Sequence, residues 1–418
     1  RLTLQGSAAM GWREDLAVLR HRDVRAFLLA RFTSVLGGSI APIALAFAVL
    51  DVSHSAGALG VVLAARSIPN VVFMLVGGVV SDRLPRHLVM VTANSLCALT
   101  QAMAATLLVS GHAHVWQLAA IEAVNGTAAA FLLPAQTGVL PSLVSTAELP
   151  QANALSGFIR SAAMIGGGAA AGVIVGFAGP ATGLFIDAAT FAIAAVILAR
   201  LTLPRIQRAS TSMLRDLRDG WTEFVSREWV WVIVAAFMLI NMTWSACWNT
   251  LGPVIADDTF GRTGWGVASA CFGAGLVVGG IVMIRLKPRY PLRIGMLGIL
   301  AYIPALVMLV VAPRTAVIAA AAFLVGIGSE CFGIGWETAL GQHIPLERLS
   351  RVSSYDALGS FVAIPLGQLS VGYLTGVLSV RAVELAGAVL LVLLVVATLA
   401  SASVRGLTRA DAPAVEAV

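Results

Sequence analysis

The stretch that decides the fold runs from residue 77 to residue 86 and reads Gly77-Gly78-Val79-Val80-Ser81-Asp82-Arg83-Leu84-Pro85-Arg86. Apolar runs of about residues 57–80 and 88–110 flank its charged part, and each is long enough to cross a bilayer. We therefore interpret the charged part as a short loop between two membrane helices. The glycines allow close helix packing, and the arginines favour the cytoplasmic side.

The composition of the whole chain indicates a membrane protein. Of its 418 residues, 58% are hydrophobic and 11% are charged, and the mean hydropathy is +0.90. A soluble protein carries about 25% charged residues. The formal net charge of +6 would suggest nucleic acid in a soluble protein, but cytoplasmic arginines explain it here, so we expect no nucleic-acid partner.

We predict twelve membrane helices in two sets of six. The first set covers about residues 26–50, 57–80, 88–110, 115–137, 152–177 and 181–200; the second covers about 230–255, 264–284, 292–312, 315–338, 353–376 and 382–404. With the N-terminus inside, 21 of the 27 lysines and arginines fall in cytoplasmic segments. This asymmetry predicts that both termini are cytoplasmic. A basic, polar segment precedes the first long apolar run, so we expect no cleavable signal peptide.

The pattern also predicts a division into domains. We expect an N-terminal cytoplasmic segment (1–25), a first six-helix bundle (26–200), a linker (201–228), a second bundle (229–404) and a cytoplasmic tail (405–418). Apolar residues at 3–4 spacing in the second part of the linker predict a helix on the membrane surface. The glycine pair Gly77-Gly78 recurs as Gly279-Gly280, 202 residues later, which indicates two related halves.

The charged loop resembles the signature of the major facilitator superfamily, Gly-x-x-x-Asp-Arg-x-Gly-Arg-Arg. Gly78, Asp82, Arg83 and Arg86 match it, whereas Pro85 and His87 stand where the signature has glycine and a basic residue. Further along, the sequences Asp187-Ala-Ala-Thr-Phe and Arg218-Asp-Gly-Trp are similar to a bacterial branch that includes enterobactin and macrolide efflux proteins. The resemblance implies a twelve-helix transporter, export as the direction, and a monomer.

The same resemblance implies a gate at the charged loop. Gly77, Gly78, Asp82, Arg83 and Arg86 would form a latch on the cytoplasmic side. Asp82 would close it through Arg83, or through the start of the eleventh helix near Asp356.

Charged residues inside the apolar runs are the main candidates for chemistry, because each costs several kcal/mol in hydrocarbon unless it is paired or hydrated. Candidates for proton coupling or substrate binding are Glu122, Asp187, Glu330, Arg66, Arg160 and Arg31. For Glu122 we weigh two roles: a carboxylate that exchanges a proton for substrate, or a fixed ion pair with Arg66 or Arg160. Candidates for a cavity wall that contacts an apolar substrate are Met238, Met242, Trp244 and Trp336.

The sequence carries no phosphate-binding loop and no His-Glu-x-x-His motif, and its four cysteines are far apart. We therefore expect no enzyme activity, no metal and no cofactor. The leading hypothesis is a plasma-membrane exporter of small, largely apolar molecules (drug-like, antibiotic or siderophore-like) that is driven by proton antiport. An importer or symporter of a sugar or organic anion is the alternative, and a non-transporting membrane sensor or membrane enzyme is a third.

Overall fold

The computed structural model describes residues 17–137, 139–145, 148–201 and 221–409. Within these ranges the chain is built from helices, and twelve of them are long and apolar enough to cross a membrane. A helix satisfies its own backbone hydrogen bonds, which a chain in hydrocarbon requires. The expected fold class, an all-α protein with twelve membrane helices, is confirmed.

Six of these helices belong to the first of two compact units, Arg1–Ala209. They are α1 (Arg22–Ser53), α2 (Ala56–Arg83), α3 (Arg86–Val109), α4 (Val115–Thr137), α5 (Leu149–Ala178) and α6 (Pro180–Ala199). A single glycine, Gly179, joins α5 to α6 with a φ of 82°. Side chains with a Cβ rarely adopt this left-handed conformation, so glycine suits the tight connection.

The other six helices belong to the second unit, Ser210–Val418. They are α7 (Glu228–Asp258), α8 (Gly261–Leu286), α9 (Pro291–Val311), α10 (Thr315–His343), α11 (Leu346–Phe361 and Ile364–Val377) and α12 (Val380–Ala400). Two of them depart from α geometry: α7 is π-helical over Ser245–Leu251, and α9 has a 3-10 turn at Ile299–Ala301.

The predicted domain limits stay predictions, because the linker limits depend on residues 202–220, which lie outside the described ranges. Most helix ends fall within a few residues of the predicted ends. The main exceptions are α10, which continues to His343, and α11, which begins at Leu346, after the N-cap residue Pro345. Both extensions are polar turns beyond the apolar runs, so hydropathy alone did not include them.

The charged loop is shorter than we expected. The helix α2 continues through Asp82 to Arg83, and α3 begins at Arg86, so two residues, Leu84 and Pro85, separate them. The backbone N–H of Leu84 still donates to the carbonyl of Val80, 2.9 Å away, which completes the last turn of α2. The interpretation of Ser81 to Arg83 as part of the loop was therefore wrong: these residues are helical, and Pro85 is the N-cap of the next helix.

In the first unit, the most extensively packed pair is α2 with α4. A Cβ built on Gly77 would lie 2.7 Å from the carbonyl oxygen of Ala130, and one built on Gly126 would lie 2.0 Å from that of Arg66. The backbones of α2 and α4 are thus in direct contact at both points. Lipid gives helices little hydrophobic reason to associate, so close approach at glycine is a main source of attraction.

The second unit repeats this arrangement with α8 and α10. A Cβ on Gly279 would lie 2.7 Å from the carbonyl oxygen of Ile327, and one on Gly326 would lie 2.1 Å from that of Phe272. Gly77 and Gly279 are the glycines that the sequence comparison of the two halves had paired. Each makes the same kind of backbone contact in its own unit, so the internal echo in the sequence reflects a repeated packing contact.

We predict that Gly326→Ala destabilises the protein by about 1–3 kcal/mol, the usual cost of overpacking, because its Cβ would overlap the carbonyl of Phe272. Gly333→Ala, on the same helix, is the matched control, since its Cβ would meet nothing within 4 Å. Thermal melts in detergent should show a lower Tm for Gly326→Ala alone. Equal melting temperatures for the two variants would contradict the packing account.

Candidate functional site

A layer of buried polar side chains crosses the first unit. It consists of Thr100 and Gln101 on α3, Glu122 and Asn125 on α4, and Asp187 and Thr190 on α6. Each of these helices is a membrane span. Polar groups inside a membrane are costly and commonly mark a substrate or ion pathway. This layer is therefore the candidate functional site of the first unit.

Glu122 is the centre of the layer and is fully buried. One carboxylate oxygen lies 3.6 Å from Nη1 of Arg66, and the other accepts a hydrogen bond of 3.4 Å from the side-chain amide of Gln101. The Arg66 side chain is 25% exposed. Arg66 is thus the partner of Glu122, one of the two partners that the sequence analysis considered.

Helix packing explains why Arg66 reaches this point. Gly126 on α4 faces the backbone carbonyl of Arg66, so α2 and α4 are closest at this level. The side-chain amide of Asn70, one turn further along α2, donates to the carbonyl of Gly126 at 3.2 Å. On the other side of α4, the Asn125 amide donates to the Thr100 hydroxyl at 2.9 Å. Polar contacts therefore fix α4 against both α2 and α3.

Asp187 is also fully buried, on α6. Neither of its carboxylate oxygens has a hydrogen-bond partner in the described part of the chain. It lies in electrostatic range of Arg66 and Glu122, and Gly37 of α1 packs directly against its carboxylate. Within the described residues Arg66 forms an ion pair with Glu122 and Asp187 forms none, so the arrangement carries one negative charge in excess when both carboxyl groups are ionised.

Arg31 and Arg160 lie elsewhere in the first unit. Arg31 is partly buried and lines a small cavity with Ser34 and Asn94, whereas Arg160 is exposed. The two guanidinium groups are close enough to act on each other electrostatically. The structure therefore associates Arg160 with Arg31 and assigns Glu122 to Arg66.

In the second unit, Glu330 lies at the contact between α8 and α10. A Cβ on Gly279 would lie 2.9 Å from the Cβ of Glu330, and Glu330 is partly buried. It belongs to the other compact unit from Glu122 and Asp187. The sequence candidates for proton coupling thus fall into separate groups, of which Arg66, Glu122 and Asp187 form one.

Two residues that we had assigned to different roles are in contact. The indole N–H of Trp336 donates to a carboxylate oxygen of Asp356 at 2.8 Å, and the hydroxyl of Ser360 donates to the other at 3.1 Å. Trp336 also packs edge-on against Trp229, with ring centroids 5.6 Å apart. Within the second unit, the gate candidate Asp356 is therefore held by the cavity candidate Trp336.

The remaining cavity candidates lie on α7. Trp244 stacks on Trp248, with centroids 4.9 Å apart, and also contacts the ring of Tyr302 at 4.3 Å. Met238 and Met242 are partly buried. The tryptophan stack enters the π-helical segment of α7, and such segments are frequent at functional sites.

The latch residues are described in part. Gly77 is buried and Arg86 is partly buried at the start of α3. The side chains of Asp82 and Arg83 and the surroundings of Gly78 are not among the described parts of the structure. The gate at this loop therefore stays a prediction from the sequence.

Sequence reasoning missed several buried polar residues, because it counted charges and ignored amides. Gln101 and Asn125 lie in the middle of apolar runs, and this placement was visible in the sequence. Glu384 was missed for another reason: it is the fifth residue of α12, close to a helix end where a charge is ordinarily solvated. The structure instead buries it fully.

A charged cluster fixes the end of the linker to the second unit. Glu223 is 7% exposed and pairs with Arg227, 2.7 Å away, and with Arg348, and Arg227 also donates to the carbonyl of His343. Beside it, the rings of Trp221 and Phe224 pack against Tyr355. Residues 221–226 are helical, whereas the earlier part of the predicted surface helix lies outside the described residues, so that helix stays a prediction.

Comparison with known proteins agrees with this architecture. Among solved structures, the nucleoside transporter NupG superposes with a TM-score of 0.68 at 17% identity, over 91% of this chain and 98% of that chain. Residues 27–312 match the family model of the Major Facilitator Superfamily. The chain therefore belongs to the major facilitator superfamily and is a multi-pass membrane transporter.

Two relatives match along most of the chain. Macrolide efflux protein A of Streptococcus pyogenes is 24% identical over 350 residues, covering 80% of this chain and 84% of that protein. Multidrug efflux pump Tap of Mycobacterium tuberculosis is 26% identical over 383 residues, covering 86% and 88%. An uncharacterised MFS-type transporter, y4rN of Sinorhizobium fredii, is 29% identical over 166 residues, 38% of this chain and 41% of its own length.

We predict that the linker contact weakens in acid. Hydrogen bonds from Arg227 and then Arg348 hold the pKa of Glu223 below its usual value. A lowered folded-state pKa stabilises the protein above the unfolded pKa of about 4.3, and this contribution is lost as the pH falls below it. Wild type should exceed Glu223→Gln in stability by about 1 kcal/mol at neutral pH, since the arginines are partly exposed.

Thermal melts of wild type and Glu223→Gln from pH 7 to pH 3 would test this prediction. The two curves should begin to approach each other below about pH 4, where the unfolded chain takes up the proton, and should converge once the pH falls below the lower folded-state pKa, because the carboxyl then carries a proton in both states. A stability difference that stays constant down to pH 3 would show that the charge on Glu223 is not what holds the linker.

We also predict that Arg66→Met costs more than Arg66→Met combined with Glu122→Gln. The single change leaves a buried carboxylate without its cation and should destabilise by about 2–3 kcal/mol, less than a fully buried pair because Arg66 is 25% exposed. The double variant removes both charges and should recover most of the loss. Additive effects in a double-mutant cycle would mean that the two side chains are not coupled.

Proposed function

We propose that this protein is a secondary-active exporter of small, largely apolar organic molecules, and that it exchanges them for protons. The observation that carries the proposal is the group formed by Arg66, Glu122 and Asp187. Two fully buried carboxyl groups on membrane helices lie within electrostatic range of one guanidinium, and only Glu122 is at ion-pair distance from it. A group with one more carboxylate than guanidinium can bind a proton and release it again at low energetic cost.

The way in which proton binding would drive transport follows from this charge balance. Arg66 compensates one carboxylate at a time, and Glu122 is the one within ion-pair distance. A proton that binds a carboxylate oxygen of Asp187 removes the excess charge, so the whole group becomes neutral and stable in hydrocarbon. Loss of that proton restores the negative charge, which favours a state in which water reaches the group. Proton binding would thus bias the alternation between two states that transporters of this kind use.

The substrate class rests on different evidence. Two relatives that match along most of the chain are named as efflux proteins, one for macrolides and one for multiple drugs. The second unit has a partly buried aromatic ring at Trp244, with Met238 and Met242 on the same helix, α7, whereas Trp336 is buried against Trp229. Flexible thioethers and aromatic rings suit apolar ligands of varied shape. We further propose a plasma-membrane location with both termini cytoplasmic, and a monomer.

A second candidate function is transport of an anionic or polar solute. The neighbouring guanidinium groups of Arg31 and Arg160 favour it, because two cations within electrostatic range would attract a carboxylate or phosphate. The nucleoside transporter with the same fold shows that the architecture also accommodates polar substrates. Arg31→Met would abolish transport of such a solute and leave export of an apolar dye largely intact.

The proposed function predicts that cells which express the chain accumulate less ethidium and other apolar dyes than cells with an empty vector. An uncoupler should abolish the difference, because the proton gradient drives export. Asp187→Asn and Glu122→Gln should each lower export at least about tenfold, the scale expected when a coupling group is lost. Dye fluorescence in whole cells measures each effect.

Asp257→Asn is the matched control, since Asp257 pairs with Arg262 in the second unit and has no place in the mechanism. It should export at the wild-type rate. Export that persists unchanged after the proton gradient has collapsed would exclude proton coupling. Increased uptake of an organic anion instead of decreased dye would favour the second candidate.

A further inference from the structure

A buried acid in the second unit has no role in the function proposed above. Glu384, on α12, is fully buried, and neither carboxylate oxygen has a hydrogen-bond partner in the described ranges of the chain. Desolvating an unpaired carboxylate costs several kcal/mol, so an acid kept in such a place usually serves a function.

The surroundings of Glu384 are apolar or weakly polar. The helices α7 and α9 pack against α12. Gly387, three residues after Glu384, faces Cys247 and Thr243 of α7 and Leu306 of α9: a Cβ there would lie 2.7 Å from the Cys247 sulfur. Glu384 itself is in electrostatic range of Cys247. The close contact at Gly387 encloses the acid between three helices and leaves it no polar partner among the described residues.

Charged groups on the same helices do not compensate Glu384. The other titratable groups on or next to the helices packed around it are Glu228, Asp257, Asp258, Arg293, Tyr302, Tyr373, Arg381 and Arg405. Within the described residues, none of them pairs with Glu384, and the Tyr302 hydroxyl bonds to Ser329 instead. Glu384 therefore differs from Glu122, which has Arg66 beside it.

The position of Glu384 matches that of Asp187 in the first unit. The two acids are 197 residues apart, and the same spacing separates Ala130 from Ile327, whose carbonyls face the equivalent glycines Gly77 and Gly279. Each acid lies in the first half of the sixth helix of its unit, about 10 Å from the helix start for Asp187 and about 6 Å for Glu384, so the two positions agree to within about one helical turn. Both are fully buried with unpartnered oxygens in the part of the chain that the structure describes.

We propose that Glu384 is a second proton-binding site, and that it takes up and releases one proton in each transport cycle. The proposal rests on the proposed function, and it adds a site in the second unit to the group around Asp187. Proton binding forms an O–H bond at one carboxylate oxygen and gives the neutral carboxyl group. The same O–H bond breaks when the proton leaves. The site makes the number of protons per exported molecule depend on both units.

The first experiment needs no substrate. The purified full chain, in vesicles of phosphatidylethanolamine and phosphatidylglycerol, is treated with dicyclohexylcarbodiimide, which modifies protonated carboxyl groups in apolar surroundings, and the adducts are located by mass spectrometry. We expect an adduct on Glu384 that falls about tenfold or more from pH 5 to pH 9, because a titrating group loses its protonated form tenfold per pH unit past its midpoint. No adduct at any pH, or one that does not change with pH, would overturn the proposal.

Two variants control the labelling. Glu384→Gln keeps the shape of the side chain and should carry no adduct at this position. Cys247→Ser removes the neighbouring thiol and keeps the acid, so it should be labelled as wild type. Glu384→Asp keeps a carboxyl group and should be labelled even if Glu384→Gln is poorly folded. An adduct located on Cys247 and none on Glu384 would mean that the reagent reports on the thiol, which also overturns the proposal.

A transport measurement separates this inference from the proposed function. In vesicles with a fixed pH gradient, wild type should build a larger ethidium gradient than Glu384→Gln, by about tenfold for each pH unit imposed, since one fewer proton drives each exchange. Equal gradients would refute the second site and leave export intact. If wild type moves no dye at all, the proposed function fails, and the labelling experiment alone decides the fate of Glu384 as a proton site.

Discussion

The contact between the Arg66 guanidinium and the Glu122 carboxylate is the interaction on which the first unit depends. It compensates a charge that hydrocarbon would otherwise exclude, and it does so on helices whose backbones touch at Gly126. Neither the pair nor the packing is sufficient alone: the glycine brings the helices together, and the ion pair makes their charged residues tolerable. Asp187 then adds an acid that the pair does not neutralise, so the buried charges of the unit are compensated only in part.

The two units solve the same packing problem with different chemistry. Gly77 and Gly279 make equivalent contacts with a backbone carbonyl on the facing helix, so the scaffold is repeated. The buried charged residues are not repeated. The first unit compensates Glu122 with Arg66, whereas the second buries Glu384 without a cation among the described residues and holds Asp356 by a hydrogen bond from Trp336. The two units thus share their backbone packing and differ in their buried polar residues.

Much of the fold was predictable, because the number of helices and their positions follow from the length and spacing of the apolar runs. The glycine echo correctly located a repeated contact. The charged loop was predicted too long, since hydropathy ends where polar residues begin, while the hydrogen bonds of α2 continue to Leu84. Of the candidate site, Arg66, Glu122 and Asp187 were found as charges in apolar runs. The pairing of Glu122 with Arg66 was one of two alternatives, and the place of Asp187 beside them was not predicted, because it depends on which faces of four helices meet. Glu384 was overlooked because its burial comes from neighbours far along the chain.

The π-helical segment Ser245–Leu251 has a consequence for sequence change in this region. The Thr250 hydroxyl donates to the carbonyl of Ser245, five residues earlier, which stabilises the wide turn. A wide turn holds one residue more than an α-helical turn of the same height. Deleting a residue from an ordinary membrane helix rotates everything beyond it by about 100°. Here a deletion can be absorbed as the segment reverts to α geometry, with Gly252 and later residues keeping their orientation. A deletion of one residue in this segment would therefore change the Trp244–Trp248 stack and leave the helix beyond it in place.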